Sequence, residues 1–140
     1  MQSWISYAII ATITGGIALV FAKMGMRDAN ESLALVIRTG VLFMIVLLAA
    51  VINNGFKEIR QVPTRAWLWF AAAGLTTGIY WISYFKAMRT ANVSVLAIID
   101  KGGIIVTFLL SYYLLSKPLT PRLWAATILI LSGTLLLIWK

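Results

Sequence analysis

The chain has 140 residues, of which 61% are hydrophobic and 11% charged, whereas a soluble chain has roughly 45–50% apolar and about 25% charged residues; too few charges are present to cover a soluble surface. The absence of Cys and His excludes disulfides, Fe–S clusters and thiol chemistry, together with the commonest metal ligand and proton shuttle. The net charge of +8 does not mark a nucleic-acid binder, because Lys and Arg are spread over every inter-helix loop and form no single basic face; they flank apolar runs, where they meet lipid phosphates.

Crossing about 30 Å of hydrocarbon at 1.5 Å per residue takes about 20 apolar residues. Such runs recur five times, so the chain is expected to be an all-α integral membrane protein, one domain over residues 1–140 with five transmembrane helices. The first covers residues 4–22 and carries no charge; without a basic segment before it or small residues at a cleavage point after it, it reads as a retained span. A polar turn, Lys23 to Glu31, leads to the second span at 33–52, with Arg38 inside it. The longest loop runs from Asn53-Asn54-Gly55 to Pro63-Thr64-Arg65, and an aromatic-rich third span follows at 66–85. A turn over Lys86 to Asn92 precedes the fourth span, 93–115, which is interrupted by Asp100-Lys101-Gly102-Gly103. Lys117-Pro118-Leu119-Thr120-Pro121-Arg122 then breaks the helix, since proline has no backbone donor, and the fifth span occupies 123–139. Trp4, Trp67, Trp69, Trp124 and Trp139 fall at span ends, where indole rings prefer the interface. With backbone groups satisfied only internally in lipid, helices are the plausible spanning form.

Five spans place Lys57, Arg60, Arg65, Lys117 and Arg122 on one side and Lys23, Arg27, Lys86, Arg89 and Lys140 on the other. An excess of Lys and Arg normally fixes the cytoplasmic side, and here there is none. A tie is expected of a chain that inserts both ways and pairs as an antiparallel, inverted 5+5 helix homodimer; many carriers hold that plan in one chain, with the substrate site at the repeat interface. The competing reading is a tie by chance, which one moved boundary would tilt.

A charge at a helix centre costs about 2.5–3.5 kcal/mol on the insertion scale, so Arg38, Asp100 and Lys101 are expected to face a bundle interior or wet cavity. Arg38 lies five residues into its span and Asp100 seven, about 7–8 Å and about 10 Å from one face, so the two can pair and leave Lys101 facing the cavity. Against this, Arg38 can snorkel to the interface, and Asp100-Lys101 can be a local pair that stabilises packing. Asp100 is the only carboxylate outside the loops, but the nearby cations favour its charged form and argue against easy protonation. Asp100, Gly103, Thr107 and Ser111 form one stripe on the fourth span, and Thr76, Tyr80, Ser83 and Tyr84 a comparable face on the third, with Trp81 beside it. Such stripes suit an aqueous path or helix packing alike. Gly74 and Gly78 have small-xxx-small spacing, and Gly15, Gly16, Gly102, Gly103 and Gly133 also permit close helix approach. No metal cluster, phosphate loop or activated nucleophile is visible, so neither an enzyme nor a cofactor is expected.

The stretch Trp81-Ile82-Ser83-Tyr84-Phe85-Lys86-Ala87-Met88, followed by Val95 to Asp100-Lys101, resembles the half-length EamA-type proteins of the drug/metabolite transporter superfamily. Gly15 to Lys23 and Ile37-Arg38-Thr39 share the resemblance, which covers nearly the whole chain. The family often has Leu-Gly-Glu before its last span, whereas this chain has Leu115-Ser116-Lys117 and lacks that carboxylate. The resemblance implies a helical secondary carrier working by alternating access, an exporter in a bacterial or archaeal plasma (inner) membrane. Full-length relatives look like two inverted five-helix halves fused together. The small multidrug resistance carriers are more distantly similar; their membrane-embedded first-helix Glu has no counterpart here, so a bare organic cation is not the expected substrate. Two Asp and up to four cations in a dimer suit a small anionic or zwitterionic metabolite, with Asp100, Lys101, Arg38, Trp81, Tyr84 and Tyr80 as the substrate-binding set. The expected partners are a second copy, membrane lipids and the metabolite. The rival reading is a non-transporting scaffold or accessory subunit, or half of a heterodimeric transporter.

Overall fold

A computed structural model of the protein describes residues 3–115 and 120–138. Its order is α1 (Ser3–Gly25), α2 (Glu31–Ile52), a 3-10 helix (Gly55–Gln61), α3 (Thr64–Thr90), α4 (Val93–Asp100), a 3-10 turn (Lys101–Gly103), α5 (Ile104–Leu115) and α6 (Pro121–Ile138). Backbone contacts divide the chain into two compact units, Met1–Thr90 and Ala91–Lys140.

Local chemistry sets the ends. Asn30 caps α2, its side chain accepting the Leu33 N–H at 2.7 Å. At the other end the Asn53 side chain donates to the Ala49 carbonyl at 2.8 Å. Asn54 then takes the left-handed conformation at φ 54°, which Asn tolerates better than most residues, and stops the helix. The 3-10 helix folds back on α2 so closely that a Cβ on Gly55 would stand 3.4 Å from the Ala50 carbonyl oxygen. The loop after the second span is therefore partly helical.

α3 is longer than the apolar run that announces it. The stretch Lys86 to Thr90, expected as a turn, continues the helix, and only Ala91 and Asn92 separate α3 from α4. Basic residues suit a helix C-terminus, where Lys86 and Arg89 oppose the negative end of the dipole. Asn92 caps α4 by accepting the Ser94 N–H at 3.0 Å. Asn92→Ala is expected to lower thermal stability by about 1 kcal/mol, read as the unfolding midpoint in detergent. Pro121 opens α6 at the one helical position that needs no N–H, and the Thr120 carbonyl accepts from Leu123 at 2.9 Å. Lys117, Pro118 and Leu119, with Trp139 and Lys140, lie outside the described residues.

Among the described residues, three helical segments are long and apolar enough to cross a membrane: Trp4–Gly25, Glu31–Ile52 and Val93–Leu114. The last runs through the expected interruption, which tightens into the 3-10 turn without ending the helix. α3 has the length, but its Trp, Tyr, Thr and Gly residues make it less apolar, and the apolar stretch of α6, Pro121–Leu136, is shorter. The buried apolar side chains are Tyr84, Phe85 and Met88 on α3, and the buried polar ones are Thr127 and Thr134 on α6. Apolar side chains cover the outsides of the helices instead, as a lipid solvent requires.

Candidate functional site

In the first unit the site is built on the last turns of α3. Tyr80, Trp81, Tyr84 and Phe85 recur at helical spacing, so consecutive turns stack rings on one side of the helix. Trp81 meets Tyr84 at 5.7 Å and Phe85 at 6.0 Å between ring centroids, both edge-on. Tyr80 packs on Trp81 at 5.0 Å and on Tyr84 at 5.5 Å. Offset and edge-on geometry is what the ring quadrupoles favour.

α2 carries Arg38 to this cluster. Because α2 begins at Glu31, earlier than its apolar run, Arg38 lies seven residues in, about 10 Å along the axis. Its guanidinium carbon stands 3.7 Å from the Trp81 ring centroid and 5.7 Å from that of Phe85. Cation–π attraction of this kind is worth about 0.5–2 kcal/mol, more as water is removed. Among the described residues of its own unit Arg38 makes no hydrogen bond or ion pair. A planar guanidinium has five N–H donors around its edge, and stacking on Trp81 occupies a face and leaves that edge unspent.

Two grooves border Arg38. One, about 600 Å³, runs between α2 and α3 past Gly40, Phe43, Gly74 and Gly78 to Trp81. The other, about 360 Å³, lies between α1 and α2 and ends on Phe85. Arg38 is the one charged residue in either lining.

The same end of the unit is tied by polar contacts that the sequence did not announce. Lys23, in the last turn of α1, donates to the Met88 carbonyl at 2.5 Å and the Arg89 carbonyl at 3.2 Å. It thereby supplies carbonyls at the end of α3 that lack helical partners. Arg89 pairs in turn with Glu31 at the start of α2. Both partners reach solvent, where screening leaves an ion pair little net strength; its value is in fixing where three helices meet.

In the second unit the Asp100-Lys101 pair sits at the break between α4 and α5. The Lys101 N–H turns to the Ile98 carbonyl, the shorter 3-10 bond. Thr134 of α6, 7% exposed, donates to the Ile130 carbonyl at 2.9 Å and reaches the Ile98 carbonyl at 3.5 Å. α6 thus supports the backbone where the helix tightens. Asp100 is half-buried and Lys101 exposed. Thr107 spends its hydroxyl proton on the Gly103 carbonyl of its own helix at 3.2 Å, and Thr76 likewise on Ala72 at 2.8 Å, so these two stripes are partly self-satisfied. A third groove, about 620 Å³ and almost wholly apolar, lies between α5 and α6 beside Tyr112 and Trp124.

Of the expected binding residues, Arg38, Tyr80, Trp81 and Tyr84 come together in the first unit. Asp100 and Lys101 belong to the second. The glycines expected at close helix contacts, Gly15, Gly16, Gly74, Gly78, Gly102, Gly103 and Gly133, have nothing within 4 Å of where a Cβ would stand, so no close approach among the described residues uses them. Phe85, Lys23, Glu31 and Thr134 are additions. Phe85 is legible in hindsight as four residues after Trp81, whereas the other three act through long-range register. Among the described residues no His, Cys, Asp and Glu cluster could hold a metal.

Residues 2–139 match the EamA-like transporter family. A Sinorhizobium protein described as an uncharacterized transporter in the cobO 3' region is 29% identical over 136 residues, 97% of this chain and 96% of that protein. No solved structure matches the chain.

Proposed function

The chain belongs to the EamA-like transporter family and is a multi-pass membrane transporter, and on that premise we propose that it is a secondary, alternating-access exporter of small anionic or zwitterionic metabolites. The observation that carries the reading is Arg38, a cation held against Trp81 within a membrane helix, between apolar grooves, with no hydrogen bond or ion pair among the described residues of its unit. Charges at such depth are costly and mark substrate or ion pathways. Asp100 and Lys101, at the 3-10 turn of the fourth span, are proposed as further substrate-binding residues. The helix tightens there into a 3-10 turn, and carriers place their sites where spanning helices depart from regular geometry.

The helices at five places, together with the even split of Lys and Arg, support five spans and insertion in both orientations. Two copies then form an antiparallel homodimer in a bacterial or archaeal plasma membrane. Each copy contributes Arg38, Asp100 and Lys101, an excess of positive charge that favours a carboxylate-bearing substrate. The open glycine faces of α1 and α6 are available for the partner's helices. Labelling a single Cys introduced at the C-terminus of intact cells, with and without permeabilisation, tests this arrangement. About half of the molecules should label from outside; labelling on one side alone contradicts the antiparallel pair.

A further inference from the structure

We infer that the transported substrate is a monocarboxylate with an apolar body, its carboxylate on the Arg38 guanidinium and its body in the groove between α2 and α3; this rests on the carrier reading above. The groove of about 600 Å³ is of the size that holds small organic ligands. Its lining offers one charge, Arg38, and two hydroxyls, Thr39 and Thr77; Val36, Phe43 and Trp81 are typical of the rest. One planar cation with an unspent N–H edge matches one carboxylate, which it can take through two parallel hydrogen bonds. A second anionic group, or a body rich in hydroxyls, would find almost no partners in this lining, and an unmatched polar group weakens binding strongly. Trp81 is the positioning residue: its ring fixes the plane of the guanidinium at 3.7 Å and so directs the N–H edge away from the stack. The glycines on α3 set the room for the body: Gly74 and Gly78 line the groove, and a Cβ at Gly78 would meet nothing within 4 Å among the described residues.

The test is calorimetric titration of the full chain in phosphatidylcholine nanodiscs with phenylacetate, its neutral counterpart 2-phenylethanol, succinate and glucose 6-phosphate. Phenylacetate should bind saturably and at least tenfold more tightly than the other three, and Arg38→Gln should weaken it at least tenfold. Gly78→Leu, which adds bulk at a lining position where a Cβ meets nothing within 4 Å, should weaken phenylacetate about tenfold and the smaller propionate far less; this variant decides the matter where Arg38→Gln inserts poorly. Succinate or glucose 6-phosphate binding as tightly as phenylacetate overturns the inference, as does the absence of saturable phenylacetate binding. Loss of phenylacetate binding when phosphatidylglycerol is added to the nanodiscs also overturns it, by assigning the groove to an anionic lipid. Flux in proteoliposomes separates the two levels. Carboxylate flux that does not distinguish phenylacetate from succinate removes the substrate class alone, while phenylacetate binding with no flux of any carboxylate removes the carrier reading alone.

Discussion

Replacing Arg38 with Gln is expected to cut carboxylate flux in proteoliposomes roughly ten- to a hundredfold, with insertion and yield unchanged. A hydrogen bond to a charged partner contributes about 1.5–3 kcal/mol, and each 1.4 kcal/mol is about tenfold in affinity. Yield should hold because Arg38 makes no hydrogen bond or ion pair among the described residues of its unit, so its loss strands no partner there. Removing a charge from a membrane helix also relieves an insertion cost of about 2.5–3.5 kcal/mol. Arg38→Lys separates charge from shape: the ammonium keeps the charge but loses the flat stack on Trp81 and the two-pronged edge. It should restore only part of the flux. Unchanged flux in Arg38→Gln would return Arg38 to the role of a side chain that merely snorkels.

The second large effect is structural. Phe85→Ala is expected to lower the stability of the protein in detergent or lipid by about 2–3 kcal/mol, read by thermal or denaturant unfolding. The value is set below the 3–5 kcal/mol of a soluble core because lipid tails are as apolar as the side chain removed, which leaves lost packing as the main cost. Phe85 is 1% exposed and Met88 0%, whereas the outer faces of the helices are open. Ile79→Ala, at a residue 68% exposed on the same helix, should therefore have little effect and serves as the control. Phe85 also stands behind Trp81 and within 5.7 Å of Arg38, so its loss should loosen the guanidinium and lower flux as well. A change no larger than that of Ile79→Ala would mean that the aromatic cluster does not hold the unit together.

The places of the helices were legible in the sequence because each is announced by a long apolar run, and the break at Asp100 to Gly103 by charge and glycine inside one. The ends were less so. The stretch from Lys86 to Asn92 read as a turn, yet Lys86 to Thr90 belong to α3, since a helix tolerates basic residues at its end and stops only before Asn92 caps the next. Arg38 stood out as the one charge within its run. Its partner could not be read, because the contact with Trp81 depends on the rotation of α2 against α3, which no periodicity in either helix specifies. Lys23 was visible as a flanking cation, but its bond to the Met88 carbonyl joins residues 65 apart through backbone, leaving no complementary side chain to notice. The glycines were expected at close helix approaches, because small residues permit them, but spacing alone does not say whether a neighbour is there, and among the described residues their faces are open.

Counterflow in proteoliposomes addresses the central claim most directly. Vesicles loaded with unlabelled phenylacetate and diluted into a trace of labelled phenylacetate should accumulate label transiently, and the overshoot should vanish in Arg38→Gln while the variant still inserts. Entry of label that never exceeds equilibrium, or an overshoot equally large in vesicles without protein, would contradict a carrier that alternates access around Arg38.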